Sequence, residues 1–453
     1  MVRQPKKRIM KTKLLFFTAL LGLSLTAPAQ SLQPTDSEMP ADTIAADNAY
    51  YDDLLESILG HNNDPYANEE LPTSPTEVKH LIKEEHSNRW YAAQAELWHN
   101  AALSRKTDET AWFNYFRAIK YCCDTDTEHT YEQLDSIKLA LINELKMQVP
   151  DSYTYYSAAY QLLPKQSDED NRRYAEEAIK RMPAKKSFFD YDTWLAYYNF
   201  TADSARMVPY AKEYLKSGLY SNELLTYAKN ILNTLPQNAL YLADGDANII
   251  PKWIIQQGMG LHRDKLVICN SMLIDANYCQ HIFTYLGIGE APKREGLFKD
   301  EDELFDYIYN VVNEIIKRTG RPLYLTKNME DSNYKRWDDN LYDEGMAYHY
   351  SLEEIDLDEA LRKNYEQHCD LNYLLSPLPD DCWRADRTMS LQQYANFRYL
   401  LPYYLEKKDK KHFKTLQRQL ISAGMRYGFS KKEMKQAIKE TIAEYNGEEK
   451  IEE

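Results

Sequence analysis

Glycine is scarce in this sequence: the 453-residue chain contains 14 glycines, against 37 tyrosines. Proteins built from many short strands depend on glycine-rich turns, so this shortage disfavours an all-β fold. Apolar residues make up 43% of the chain, which is enough for a large core divided over two or three domains. We therefore expect a globular and mainly α-helical protein.

Long apolar runs are also missing, except at the N-terminus. There the run from Leu14 to Leu25 follows a basic head and precedes Ala-Pro-Ala at residues 27–29. This order is typical of a secretory signal peptide that is cleaved after Ala29. We predict a mature protein that is periplasmic or secreted and has no membrane span. The alternative is that the N-terminal run is retained as a membrane anchor.

Basic residues are fewer than acidic residues in this chain. The chain has 55 Lys and Arg against 70 Asp and Glu, a formal net charge of −15. The N-terminal head carries six positive charges and no acid, so its removal would bring the net charge to −21. A strongly acidic protein is repelled by nucleic acid and by anionic membrane surfaces, and we expect neither as a partner.

Cysteine spacing and enzyme motifs exclude several further classes. No C-x-x-C pair occurs, which disfavours a structural zinc site and thioredoxin-like chemistry. Cys369 and Cys382 flank an irregular stretch and are the best candidates for a disulfide, with free buried thiols as the alternative. G-x-S-x-G, H-E-x-x-H and P-loop motifs are missing, and His262 and His349 have no Cys or acid at ligand spacing. We predict no metal and no cofactor.

The remaining pattern divides the chain into five segments. After the signal peptide (1–29), residues 30–75 have the composition of a flexible leader, and helical periodicity begins near Glu77. Aromatic and small residues one turn apart, as in Tyr115 and Ala118, make residues 76–236 resemble tetratricopeptide repeats. An irregular helical bundle is the alternative. Residues 351–453 are predicted to form a C-terminal helical region.

Residues 237–350 carry a different pattern, in which strands alternate with helices. Ala239–Ala243, Leu266–Cys269 and Leu323–Thr326 are short apolar runs separated by helical stretches. Such spacing allows parallel pairing through crossovers and rules out two-residue hairpins. The predicted fold is therefore mainly α, with tetratricopeptide-like helices flanking a small parallel α/β module.

The same region resembles the soluble C-terminal part of a bacterial membrane-protein family related to protein O-mannosyltransferases. The residues in register are Gly245, Asp246, Pro251, Trp253, Gln256, Asp264, Val267, Ser271, Leu273 and Tyr278, then Arg321–Tyr324 and Glu344–Tyr348. The chain departs from the family at Ala247, Asn248 and Ile249, where the family has polar residues. The resemblance implies a shared soluble module in the envelope and no transferase activity, because that chemistry belongs to the membrane-spanning part of the family.

Polar residues follow each predicted strand and define the candidate ligand site. They are Asp244, Asp246, Asn248, Asn270 and Thr326. Ligands of open α/β sheets bind at the carboxyl ends of the strands, where two carboxylates beside a helix N-terminus can hold a cation or sugar hydroxyls. The alternative is that Asp246 or Asn248 merely caps the helix. A calcium-binding loop is excluded, because Ile249 and Ile255 replace its glycine and glutamate.

These observations favour a binding function. Helical repeats joined to a module without a complete catalytic set suit a non-enzymatic envelope protein that binds a partner protein or a glycan. The alternative is a hydrolase or transferase that uses Asp244 and Asp246 on a glycan or another envelope component.

Overall fold

The computed structural model of this protein describes residues 69–126, 129–163, 168–293, 296, 298–327, 329, 331–378 and 384–446. The predicted signal peptide, most of the predicted leader and Cys382 lie outside these residues, whereas Cys369 carries a free thiol. The described chain forms two compact units that divide between Ser204 and Ala205. The predicted division at residues 236 and 237 stays a prediction; it falls within the second unit, where the chain enters the sheet.

All regular secondary structure among the described residues of the first unit is helical. Its helices are α1 (Asn88–Ser104), α2 (Glu109–Asp124), α3 (Tyr131–Gln148), α4 (Tyr153–Leu162), α5 (Asp168–Arg181) and α6 (Tyr191–Phe200). Polar caps define where they begin: the Ser87 side chain accepts from the Trp90 N–H, and Thr130 forms a capping box with Gln133. Helix α1 packs against α2, and α4 against α5. The tetratricopeptide-like repeat remains a prediction.

The second unit combines helices with one sheet. Its elements are α7 (Ser204–Ser217), α8 (Asn222–Thr234), β1 (Leu240–Ala243), α9 (Asp246–Trp253), β2 (Leu266–Cys269), α10 (Ala276–Leu286), α11 (Glu301–Thr319), β3 (Leu323–Leu325), α12 (Asp331–Tyr334), β4 (Leu341–Asp343), β5 (Tyr348–Tyr350), α13 (Leu357–Lys363), α14 (Arg384–Phe397), α15 (Leu400–Glu406), α16 (Lys410–Tyr427) and α17 (Lys431–Asn446). Helix α9 continues into a π-helical turn, Ile254–Gly258. The protein is thus mainly helical with one small sheet, as predicted.

The three predicted strands form the parallel part of this sheet, which confirms their pairing. The strand order is β2-β1-β3-β5-β4, and central β1 pairs in parallel with β2 and β3. All four residues of β1 are buried, which is why its sequence is a continuous apolar run. The expectation of a purely parallel module is wrong, because β5 runs antiparallel to β3 and β4 antiparallel to β5. These two strands have three half-buried residues each, too few for a detectable alternation.

The turn between β4 and β5 depends on a glycine. Gly345 has φ +97°, and a Cβ there would lie 3.0 Å from Phe397 Cε1 and 3.1 Å from Leu361 Cδ2. We expect Gly345→Ala to lower the free energy of unfolding of the second unit by about 2–4 kcal/mol, since backbone strain and crowding both oppose it. Urea unfolding measures the loss. The control is Gly320→Ala, where φ is +64° and no atom lies within 4 Å, with an expected loss of about 1 kcal/mol. Equal losses would contradict the contribution of crowding.

Candidate functional site

The carboxyl ends of the three parallel strands lie at one edge of the sheet, which we call the carboxyl edge. The Asn270 N–H donates to the Ala243 carbonyl at 2.8 Å, and the Thr326 N–H donates to the Leu242 carbonyl at 2.9 Å. The segments that follow β1, β2 and β3 therefore meet in space, although they are distant in sequence. Their function as a ligand site stays a prediction.

Asp244 is tied to the segment that follows β2. Its Oδ1 accepts hydrogen bonds from the Ser271 hydroxyl at 2.9 Å and from the Gly245 N–H at 3.1 Å. Asp244 therefore lies beside the segment Asn270–Ser271: its side chain contacts Ser271, and the Asn270 backbone pairs with Ala243, the residue before Asp244. Because Asp244 is only partly buried, its carboxylate lies at the rim of the carboxyl edge.

Asp246 and Asn248 lie in the first turn of α9, and neither is the residue that caps it. The N-cap is Gly245, with φ +79° and no side-chain capping bond. Asp246 is the first helical residue and is buried, and the Asn248 Nδ2 donates back to the Asp244 carbonyl at 3.0 Å. The alternative in which Asp246 or Asn248 caps the helix is therefore wrong, because the N-cap is Gly245. The carboxylate of Asp246 nevertheless complements the positive end of the helix dipole.

Asn270 carries a buried acceptor for which the described part of the chain provides no donor. Its side chain is 3% exposed, and its Nδ2 donates to Asn333 Oδ1 at 2.6 Å. Within the described residues, Asn270 Oδ1 accepts no hydrogen bond. An unpaired buried carbonyl costs about 1–3 kcal/mol, which a ligand donor can offset. Thr326 is almost completely buried, and its carbonyl accepts from the Tyr334 hydroxyl, so its contribution to the edge is mainly backbone.

The β4–β5 turn reaches the same edge, because β5 begins beside the end of β3. Lys327, which follows β3, forms an ion pair with Asp343 at 2.5 Å. The Glu344 Oε1 lies 2.7 Å from the His349 Nδ1, and the His349 ring stacks on Tyr324 with centroids 4.4 Å apart. His349 therefore has an acidic partner, Glu344, that the sequence analysis did not identify. The two residues meet only because the chain reverses at Gly345, so no sequence motif marks the pair.

Lys252 is a further residue that the sequence analysis missed. Its side chain is completely buried, its Nζ donates to the Asn248 carbonyl, and its Nζ lies 5.0 Å from the centroid of the Tyr241 ring. Burial lowers the pKa of this amine to about 7. A single charged residue within the apolar run Ile249–Ile255 was the available signal. Lys252 therefore lies beneath the first turn of α9, joined to Asp244 through Asn248.

The chemistry of the edge is that of an acceptor-rich surface. Burial, with the Asp244 carboxylate as a smaller cause, raises the pKa of the Cys269 thiol, so this cysteine is not activated as a nucleophile. Among the described residues, no group of three or more His, Cys, Asp and Glu is arranged to hold a metal ion. The donors that such a surface needs are hydroxyl or amine hydrogens of a ligand.

Comparisons of the chain with protein-family models, with curated proteins and with solved structures found no match. None of the helices within the described ranges combines the length and the apolar character needed to span a bilayer.

Proposed function

We propose that this protein is an exported envelope protein that binds a glycan at the carboxyl edge of its sheet. The observation that carries the proposal is Asn270 Oδ1, a buried acceptor for which the described residues supply no donor, at the edge where ligands of α/β sheets bind. Asn270 is the first residue after β2 and precedes Ser271, whose hydroxyl donates to Asp244, so Asp244 and Asn270 follow two neighbouring strands of the sheet.

Hydrogen-bond acceptors of this kind favour a ligand that presents many hydrogen-bond donors. Asp244 offers a partly exposed carboxylate, and Asn270 a buried carbonyl oxygen that accepts from none of the residues the structure describes. A sugar hydroxyl can donate to the Asp244 carboxylate at the rim, and hydrogen bonds to a carboxylate are stronger than those between neutral groups. Asn270 Oδ1 is buried, so a ligand reaches it only when the residues that cover it move.

The remaining parts of the proposal come from the sequence. The basic head, apolar run and Ala-Pro-Ala site support export to the periplasm or beyond. The resemblance of residues 239–350 to an envelope module supports the same location. A tetratricopeptide-like first unit would add a surface for a partner protein, because stacked helical hairpins present extended concave faces.

Asp244 and Asp246 also define the competing proposal of a hydrolase or transferase. Such chemistry requires one carboxylate to act as acid and the other as base or nucleophile. The Asp244 Oδ1 already accepts two hydrogen bonds, from Ser271 and Gly245, so the structure shows it as a hydrogen-bond acceptor. We therefore retain binding as the main proposal, and product analysis distinguishes the two.

The experiment is a thermal-shift titration with neutral oligosaccharides, using tri-N-acetylglucosamine and mannotriose as probes. At about ten times Kd, a bound glycan should stabilise the protein by about 1.4 kcal/mol and raise its Tm by about 3–5 °C. Asp244→Asn and Asn270→Ser should reduce this shift by more than half, because each changes an acceptor at the edge.

The matched control is Asp264→Asn. Asp264 is an exposed carboxylate that precedes β2 and so lies at the opposite edge of the same sheet. Its substitution should leave the shift unchanged. A parent protein that responds to neither probe, or variants that respond as the parent does, would contradict glycan binding at this edge. Released sugar products would support the hydrolase instead.

A further inference from the structure

Helix α3 exposes a face that carries no charge from Ser136 to Met147. Its buried residues, including Leu134, Leu141 and Leu145, lie on one side. The opposite side forms a stripe, which we call the α3 stripe: Ser136, Leu139, Ala140, Asn143 and Met147. Leu139 is 49% exposed and Met147 is 74% exposed. Charged residues make up 28% of the chain, and the solvent-facing side of a surface helix normally carries several of them. The uncharged α3 stripe therefore differs from an ordinary solvent-exposed helix face.

The α3 stripe has the dimensions and composition of a helix-packing surface. Its residues recur at spacings of three and four, which keeps them on one side over three helical turns. Ala140, a small residue, lies at the middle of the helix beside Leu139, so another helix can approach closely at this point. The stripe is therefore suited to a helical partner that is also apolar at its centre.

Two charged residues beside the α3 stripe favour an antiparallel orientation of the partner helix relative to α3. Glu132 lies in the first turn of α3 and Lys146 in the last. Within the described part of the chain, neither side chain forms an ion pair. An antiparallel copy of the same helix would place each Glu132 opposite the Lys146 end of its partner. It would also place Leu139 against Ala140, because these two residues lie at the centre of the helix.

We propose that the α3 stripe pairs with the same stripe of a second copy of this chain, as an antiparallel dimer about a two-fold axis. The axis passes between Leu139 and Ala140, so the interface is self-complementary, as two-fold interfaces must be. The two Glu132–Lys146 pairs lie at its ends and fix the antiparallel direction.

The size of the stripe sets the strength of the pairing. Helix α3 has 18 residues, which corresponds to a length of about 27 Å. Two helices of this length bury an area near or below the roughly 1,200 Å² at which stable interfaces begin. The dimer is therefore weak and depends on concentration, with a Kd in the micromolar range or above.

The test is sedimentation velocity of the chain expressed from residue 30, over about 1–200 µM protein. The parent should shift from monomer to dimer within this range. Glu132→Lys or Lys146→Glu alone should weaken association at least about tenfold, because like charges then face each other twice in the dimer. The double variant, Glu132→Lys with Lys146→Glu, should restore association because the opposite charges are re-formed.

Two surface variants distinguish association through the α3 stripe from non-specific aggregation. Leu139→Glu should abolish association, whereas Leu352→Glu, at a position 79% exposed in the second unit, should leave it unchanged. Circular dichroism verifies that each variant remains folded. A parent that stays monomeric at all concentrations would overturn the proposal. So would a double variant that associates no better than the single variants, or a Leu352→Glu variant as impaired as Leu139→Glu.

Discussion

Asp190→Ala is expected to lower the free energy of unfolding of the first unit by about 3–5 kcal/mol. Asp190 Oδ1 lies 2.8 Å from the Arg117 Nη2, and the two side chains are only 8% and 5% exposed. Arg117 also donates to the Val78 carbonyl at 3.2 Å. Removal of the carboxylate leaves a buried guanidinium without its counter-charge, and a thermal melt should show a Tm lower by about 10 °C or more.

Two variants show whether the missing counter-charge causes this loss. Asp135→Ala removes an exposed partner of Lys138 in the same unit and should cost less than about 1 kcal/mol. The double variant Arg117→Met with Asp190→Leu removes both buried charges and should recover most of the stability, since buried apolar pairs often match buried ion pairs. A double variant less stable than Asp190→Ala would show that the hydrogen bonds of Arg117 matter more than its charge.

Lys252→Met is expected to change stability in the opposite direction, raising the free energy of unfolding at pH 7 by about 4 kcal/mol. The Lys252 amine is completely buried, and desolvation lowers its pKa from 10.5 to about 7. A shift of one pKa unit corresponds to about 1.4 kcal/mol, so the protonated unfolded chain is favoured by several kcal/mol at neutral pH. Methionine has a similar length and no charge to desolvate.

The sign of the pH dependence follows from the two pKa values. Between about pH 7 and 10.5 the unfolded chain holds a proton on Lys252 that the folded chain has released. The free energy of unfolding of the parent therefore rises with pH across this window, whereas the Met variant lacks this contribution. The advantage of the variant should fall to about 1–2 kcal/mol at pH 9.5.

Urea unfolding at pH 6, 7, 8 and 9.5 measures this difference, with Lys212→Met as the control at an exposed position. The control should change stability by less than about 0.5 kcal/mol at every pH. A Lys252→Met variant that is less stable than the parent at pH 7 would mean that the contacts of the amine with Asn248 and Tyr241 outweigh its desolvation.

The sequence alone determined the helices and the parallel strands. Caps such as Ser87 and Thr130 and the apolar periodicity of α11 are local signals, because the residues that interact lie within one or two turns. The runs Leu240–Ala243 and Leu266–Cys269 are apolar throughout because parallel strands are covered on both faces. The helix between them required a crossover, so their parallel pairing was also predictable.

Tertiary structure alone decided the partners of the polar groups. Asn270 meets Asn333 across 63 residues, and Glu344 meets His349 only because the chain reverses at Gly345. Lys252 was visible as a lysine in an apolar run, but its burial depends on how α9 packs beside β1. Periodicity shows which face of an element is buried and does not show what that face meets. Hydrogen bonds and desolvation depend on distances that are set when remote segments pack, so they cannot be read from spacing along the chain.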